Sequence, residues 1–203
     1  LPFGSNLKNN YKKKYIINKI EKKSKSKICS LISIGVDWER KGMTYSYEVL
    51  KNLKNLNIKS ELTIIGPKRL PNKFKNRKDI KFHKFMNKNK NGINSKISNI
   101  LLNSHFHLLF SKSEAYGVVF AEASSLGLYN FCFNIGGTGG IVINNINGFR
   151  FANKTHPAQV AKKIKKIFCN RKLYIKLSKS SLNIQRHQFS WKKISLKLKK
   201  YLK

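Results

Sequence analysis

His105-Phe106-His107-Leu108-Leu109-Phe110-Ser111-Lys112-Ser113-Glu114-Ala115-Tyr116-Gly117-Val118-Val119-Phe120-Ala121-Glu122-Ala123 is the stretch that decides how this chain folds. Residues 105–110 are mostly apolar and read as a strand; residues 117–126 are small and apolar and read as a helix. A strand that delivers a short polar loop into a helix is one step of an α/β fold. Glu114 stands at the helix entry and Glu122 about two turns in, with seven residues between them. At the rise of a helix the two carboxylates lie roughly 12 Å apart along the axis. The chain holds only eight acidic residues and none follows Glu122, so the pair is not part of a general scatter of charge.

The same alternation continues on both sides. Upstream, an apolar run at 28–36 containing Gly35 reads as a buried strand, and Tyr47, Leu50, Leu53 and Leu56 give residues 43–56 a helical period. Residues 62–65 form a strand that ends in Gly66-Pro67, a basic loop spans 68–78, and 80–85 is a further short strand. Ile93, Ile97, Ile100 and Leu101 mark a helix over 93–102. Downstream, 129–135 is strand-like, and Gly136-Gly137-Thr138-Gly139-Gly140 either cradles an anion with its amides or makes a flexible turn. Pro157 suits a first helical position, with Val160, Ile164, Ile167 and Phe168 on one face. A further helix covers 172–184, and Trp191, Ile194, Leu198 and Tyr201 form a last amphipathic stripe. Continuous apolar strands alternating with helices predict a Rossmann-like, doubly wound parallel sheet, with ligands bound at the carboxyl ends of its strands. The organisation read from this pattern is a linker and basic lead-in over 1–27, with a short helical patch at 15–20, a sheet domain over 28–188, and a C-terminal helix over 189–203.

The 203 residues, 40% of them hydrophobic, suffice for one domain with a core. The chain opens on Leu1 and reads as a fragment or an excised domain. It has no run of 18 apolar residues, and its start lacks the charged-then-apolar order of a signal peptide. Cys29, Cys132 and Cys169 are odd in number and sit among apolar residues, which reads as buried free thiols in a reducing, cytoplasmic compartment. His105, His107, His156 and His187 show no ligand spacing and no acidic cluster exists, so neither a metal nor a cofactor is expected. The net charge of +35 attracts polyanions such as nucleic acid, anionic lipid or phosphorylated ligands. Yet 37 of the 43 basic residues are Lys, and Lys, Asn and Ile share AT-rich codons. Either codon composition supplies a solvated surface, or the charge draws a polyanion. A nucleic-acid-binding protein would show a known module or aromatic residues interleaved with basic ones on a sheet face. Neither is visible, so no nucleic-acid partner is expected.

In the order of its motifs the chain resembles the C-terminal, donor-binding half of a retaining GT-B glycosyltransferase of the group 1 class, glycosyltransferase family 4. Leu1-Pro2-Phe3-Gly4-Ser5-Asn6 resembles the interdomain linker, and Ile34-Gly35-Val36-Asp37-Trp38-Glu39-Arg40-Lys41-Gly42 the first strand and its phosphate-facing loop. Residues 62–66 and 80–85 resemble the next two strands. The stretch 111–127 matches the signature of two Glu spaced by seven residues. Gly136-Gly137, Asn147-Gly148 and Phe189-Ser190-Trp191 match the family's segments downstream of that signature. The chain departs from the family at Val36, where an Arg is usual, at Lys84 in place of Gly, and at Phe110 and Tyr129 in place of Pro.

The resemblance implies a sugar transfer from a nucleotide-sugar substrate, with retention, to a glycan or lipid-linked acceptor. The second domain that would bind the acceptor is not within these residues. It places the donor on Gly35, Arg40, Lys41, Ala115, Tyr116, Gly117 and Glu122, assigns Glu114 to the sugar hydroxyls and the developing positive ring, and gives Glu122 the ribose hydroxyls. His83 and Lys84 fall where a base pocket is expected. The chemistry agrees: Lys41 follows a strand and precedes a helix, so its ammonium and the helix N-terminus both meet a diphosphate, with Arg40 adding a fork. Carboxylates accept hydroxyl hydrogen bonds and favour an oxocarbenium-like centre. The plain alternative for Glu114 is a helix-capping role; for Glu122, amid apolar neighbours, an unpaired carboxylate is costly. The functions that compete with a transferase half are a nucleotide-sugar-binding domain without turnover and a basic nucleic-acid-binding protein. With 16 basic residues and no acid over 154–203, peripheral attachment to an anionic membrane face is the expectation if the charge is functional.

Overall fold

The computed structural model of the chain describes residues 4–7 and 11–201. Leu1, Pro2 and Phe3 of the linker motif lie outside the described residues, as does the side chain of Tyr201 in the terminal stripe. Strands β1 (Cys29–Ile34), β2 (Ser60–Gly66), β3 (Ile80–Lys84), β4 (Phe106–Leu109), β5 (Tyr129–Phe133) and β6 (Gly148–Phe151) form one sheet in the order β3-β2-β1-β4-β5-β6, and every pair is parallel. Helices α1 (Lys13–Lys23), α2 (Met43–Asn55), α3 (Ile93–Leu102), α4 (Val118–Ser125), α5 (Pro157–Phe168), α6 (Arg171–His187) and α7 (Trp191–Tyr201) complete the fold. This is the Rossmann-like doubly wound sheet that the alternation predicts.

Burial follows position in the sheet. All residues of β4 and β5 are buried, whereas the edge strand β3 has none fully buried. The other edge, β6, is not legible as a strand in the sequence. Only Gly148 and Phe151 of its four residues are buried, so no apolar run marks it. The helices cover the sheet in two groups: α2 packs on α5, while α6 packs on α4 and α1. In α5 the buried Val160, Ala161, Ile164 and Ile167 alternate with the exposed Lys162 and Lys166, a one-sided helix.

Two regions depart from the sequence reading. The lead-in carries an eleven-residue helix, α1, rather than a short patch, and its Ile16 and Ile20 are fully buried. Nine lysines in residues 1–27 hide that pair in any average of composition. The terminal stripe splits: Ile194 is buried, but Trp191 and Leu198 are 47% and 42% exposed. Cys29 and Cys132 are buried as expected, and Cys169 is exposed because it caps the C-terminus of α5.

The strand order reverses between β1 and β4, which are neighbours. A crevice opens at such a switch point because the loops leaving the two strands turn to opposite faces. Here those loops are 35–42 and 110–117, and they are laced together. The Lys112 amide donates to the Arg40 carbonyl at 2.8 Å. Gly42 lies at φ +64° with its Cα so close to the Phe110 carbonyl that a Cβ would stand 2.0 Å from the oxygen. Only glycine meets both demands.

Candidate functional site

A cleft of about 340 Å³ lies at this switch point, and Gly35, Arg40, Lys41, Glu114, Gly117 and Glu122 all line it. The local chain explains how they converge. A Cβ on Gly35 would fall 2.6 Å from Lys41 Cγ, so the missing side chain is what lets Lys41 lie across the end of β1. The Lys41 amide donates to the Asp37 carbonyl at 3.0 Å, closing a turn that leads through Gly42 into α2. The Lys41 ammonium then reaches the Glu114 carboxylate, Nζ to Oε2 2.5 Å, and Ser111 Oγ donates to the same oxygen at 3.1 Å. Arg40 remains outward, its guanidinium 3.9 Å from Asp37.

Glu114 is not at the helix entry. Gly117, at φ +83°, holds the N-cap position and α4 begins at Val118. The left-handed residue turns the chain before the helix can include Glu114, so the helical spacing of the two carboxylates does not apply and the capping role falls away. Glu122 does sit in α4, at 2% exposure, and its Oε1 accepts a hydrogen bond from the Lys88 ammonium. Burial raises its carboxyl above the usual carboxylate range, and the Lys88 charge opposes that rise. Beneath the cleft, His107 is fully buried with Nδ1 2.9 Å from Asn130 Oδ1. Desolvation pushes it down to about 4, so it is a neutral imidazole at pH 7.

Four predicted residues do not line the cleft. Ala115 is exposed and Tyr116 packs its ring with Phe120, Cys132 and Ile141. Their backbone is used instead to seat the glycine-rich turn, Gly136–Gly140. A Cβ on Gly136 would stand 2.0 Å from the Glu114 carbonyl oxygen and one on Gly137 1.9 Å from that of Ala115; the Gly137 amide donates to the Glu114 carbonyl at 3.0 Å. These glycines support the Glu114 loop from below. His83 pairs with Ile65 in the sheet and faces a separate depression with Asn99 and Ile100, and Lys84 is exposed. The residues that do line the cleft there are the next ones along, Phe85, Met86 and Lys88, with Asn6 from the N-terminal segment. Two signals point to them: ligands gather beyond the ends of strands rather than on them, and Phe85 is a large apolar residue 62% exposed. Among the described residues no three His, Cys, Asp or Glu side chains come together to hold a metal ion.

The family model for "Glycosyl transferases group 1" matches residues 12–183. The chain belongs to this family. A search of curated protein sequences finds no match. Among solved structures it is similar to WaaG, a glycosyltransferase involved in lipopolysaccharide biosynthesis, at 20% identity and a TM-score of 0.72, covering 93% of this chain and 52% of that one. It is similar to HepE from Anabaena in complex with UDP and glucose, at 15% identity and a TM-score of 0.71, covering 99% and 55%. The C-terminal domain of the group 1 protein LpcC from Francisella tularensis matches at 19% identity and a TM-score of 0.63, covering 85% and 92%. The chain therefore spans about half the length of WaaG and HepE and nearly all of the isolated LpcC domain. At these identities the likeness is one of fold.

Proposed function

We propose that this group 1 chain is the donor-binding half of a retaining hexosyltransferase. It takes a nucleotide sugar, without a metal or cofactor, and passes the sugar to a glycan or lipid-linked acceptor held by a second domain. One observation carries the reading. Lys41, from the loop after β1, and Glu114 and Glu122, from the loop and helix after β4, line a single cleft at the switch point of the sheet. In this reading the diphosphate lies over Lys41 and Arg40, at the N-terminal end of α2. Glu114 accepts from hydroxyls of the transferred sugar and offers negative charge to its ring as the bond to phosphate lengthens. Glu122 accepts from the ribose. Phe85 and Met86, rather than His83 and Lys84, flank the base. That HepE is in complex with UDP and glucose makes a uridine donor the first to try.

The nucleic-acid alternative loses support because the middle of the sheet offers no open face. Its central strands are buried by helices on both sides. Retention of configuration rests on the family resemblance alone. Work at the inner face of a membrane rests on charge: α5, α6 and α7 expose Lys162, Lys166, Lys172, Lys176, Lys192 and Lys193, and among the described residues no helix is long and apolar enough to cross a membrane. The test of the site is paired substitution. Glu122→Ala weakens nucleoside diphosphate binding by about 1–3 kcal/mol, the value of charge-assisted hydrogen bonds. Glu114→Ala spares the diphosphate and weakens the sugar conjugate. Unchanged nucleotide affinity in a folded Glu122→Ala protein would remove the ribose role.

A further inference from the structure

Glu122 is covered in this structure by a contact of the chain's own making. Its carboxylate is 2% exposed, and what reaches it is the ammonium of Lys88, bonded to Oε1. Lys88 comes from the loop between β3 and α3, 34 positions away in sequence, and its own side chain is 33% exposed. We propose that Lys88 gates the donor site: its ammonium stands on Glu122 where the ribose diol binds, and it leaves that carboxylate when a nucleotide enters. The inference rests on the reading of Glu122 as the ribose acceptor.

Three features give the ammonium this role. First, the contact is exclusive. A vicinal diol presents two hydroxyl donors and is best met by both oxygens of one carboxylate, and Lys88 already holds one of them behind a nearly closed surface. Second, the side chain has somewhere to go. Lys88 lines the donor cleft and also an adjoining depression of about 320 Å³, whose wall includes Asn6, Asn89, Asn91 and Asn94. Third, only the side chain need move. The loop backbone is pinned where Asn94 Nδ2 donates to the Lys88 carbonyl at 2.6 Å and the Lys90 amide to that of Asn87 at 3.1 Å. A lysine stem hops between rotamers far faster than a loop refolds. Glu114 has a different arrangement, because its lysine, Lys41, comes from the phosphate loop and stays at the site with the donor. The Lys88 charge also opposes the rise that burial gives the Glu122 carboxyl.

The experiment compares the wild-type chain with Lys88→Met, which keeps the stem and removes the charge, and with Lys88→Arg, which keeps the charge. UDP, GDP and ADP and their 2′,3′-dideoxy counterparts are titrated by calorimetry at pH 8. Loss of the competing ion pair tightens binding of the ribonucleotide to Lys88→Met by about two- to fivefold. Lys88→Arg stays at the wild-type value. The dideoxy nucleotides, with no diol to compete for Glu122, gain nothing from Lys88→Met. Equal or weaker binding of the ribonucleotide by Lys88→Met, or an equal gain for the dideoxy form, overturns the gate and leaves the donor-site reading standing. Binding of none of the three ribonucleotides to any of the proteins overturns both.

Discussion

Replacing Gly42 by Ala tests whether close backbone contact holds the two loops of the crevice together. Gly92 provides the matched control, since each glycine is the left-handed N-cap of a helix, Gly42 at φ +64° before α2 and Gly92 at φ +76° before α3. An alanine in that region costs about 1–2 kcal/mol at either position, and the gain from a stiffer unfolded chain is the same for both. The surroundings differ. Around Gly92 a Cβ meets nothing within 4 Å, whereas at Gly42 it would lie 2.0 Å from the Phe110 carbonyl oxygen. Backbone at the end of β4 must then withdraw by more than an ångström, an overpacking cost of about 1–3 kcal/mol. Urea unfolding of the two variants should therefore show Gly92→Ala losing about 1–2 kcal/mol and Gly42→Ala about 2–5 kcal/mol. The withdrawal also parts the Lys41 loop from the Glu114 loop, so the folded Gly42→Ala protein should bind nucleoside diphosphate more weakly. Equal losses of stability in the two variants would refute the close approach.

Acid should destabilise the fold before ordinary carboxylates titrate. Burial holds both His105 and His107 down to about 4, so each stays neutral when folded yet takes up a proton near 6.5 when unfolded. The stability they confer is complete above that value and lost as pH falls through about 4. Between pH 6.5 and 5 each contributes a loss of about 1.5 kcal/mol, and a urea midpoint unchanged over that range would contradict their burial as neutral groups. Co-sedimentation with vesicles checks the charge: binding to anionic vesicles at low salt, released at high salt, is the expected outcome, at about 1 kcal/mol per lysine near the surface. No binding to anionic vesicles at low salt would leave the +35 charge as codon composition.

The inner strands were legible because they are buried on both faces, so continuous runs such as 62–65 and 105–110 announce themselves without help from tertiary context. β6 was not, since four residues with Arg150 and Gly148 among them carry no such run, and neither was α1, whose buried Ile16 and Ile20 are diluted by lysines. The cleft was legible at its two loops, where Gly35, Lys41 and Gly117 mark sharp turns between strand and helix. The far wall was not. His83 and Lys84 were placed by motif position, but both still lie in β3, and the contact falls to Phe85, Met86 and Lys88 beyond its end. The lysine on Glu122 has no sequence signal, because one Lys among 37 is indistinguishable until the fold brings it to a buried carboxylate.

The central claim, a donor site built from Lys41, Glu114 and Glu122, is tested most directly by titrating the chain with UDP, GDP and ADP in a calorimeter, with and without a chelator of divalent cations. Binding of at least one nucleoside diphosphate at one site per chain, unchanged by the chelator and lost in the Lys41→Met variant, is the predicted result. Failure of all three to bind the folded protein, or binding that requires a divalent ion, would contradict it.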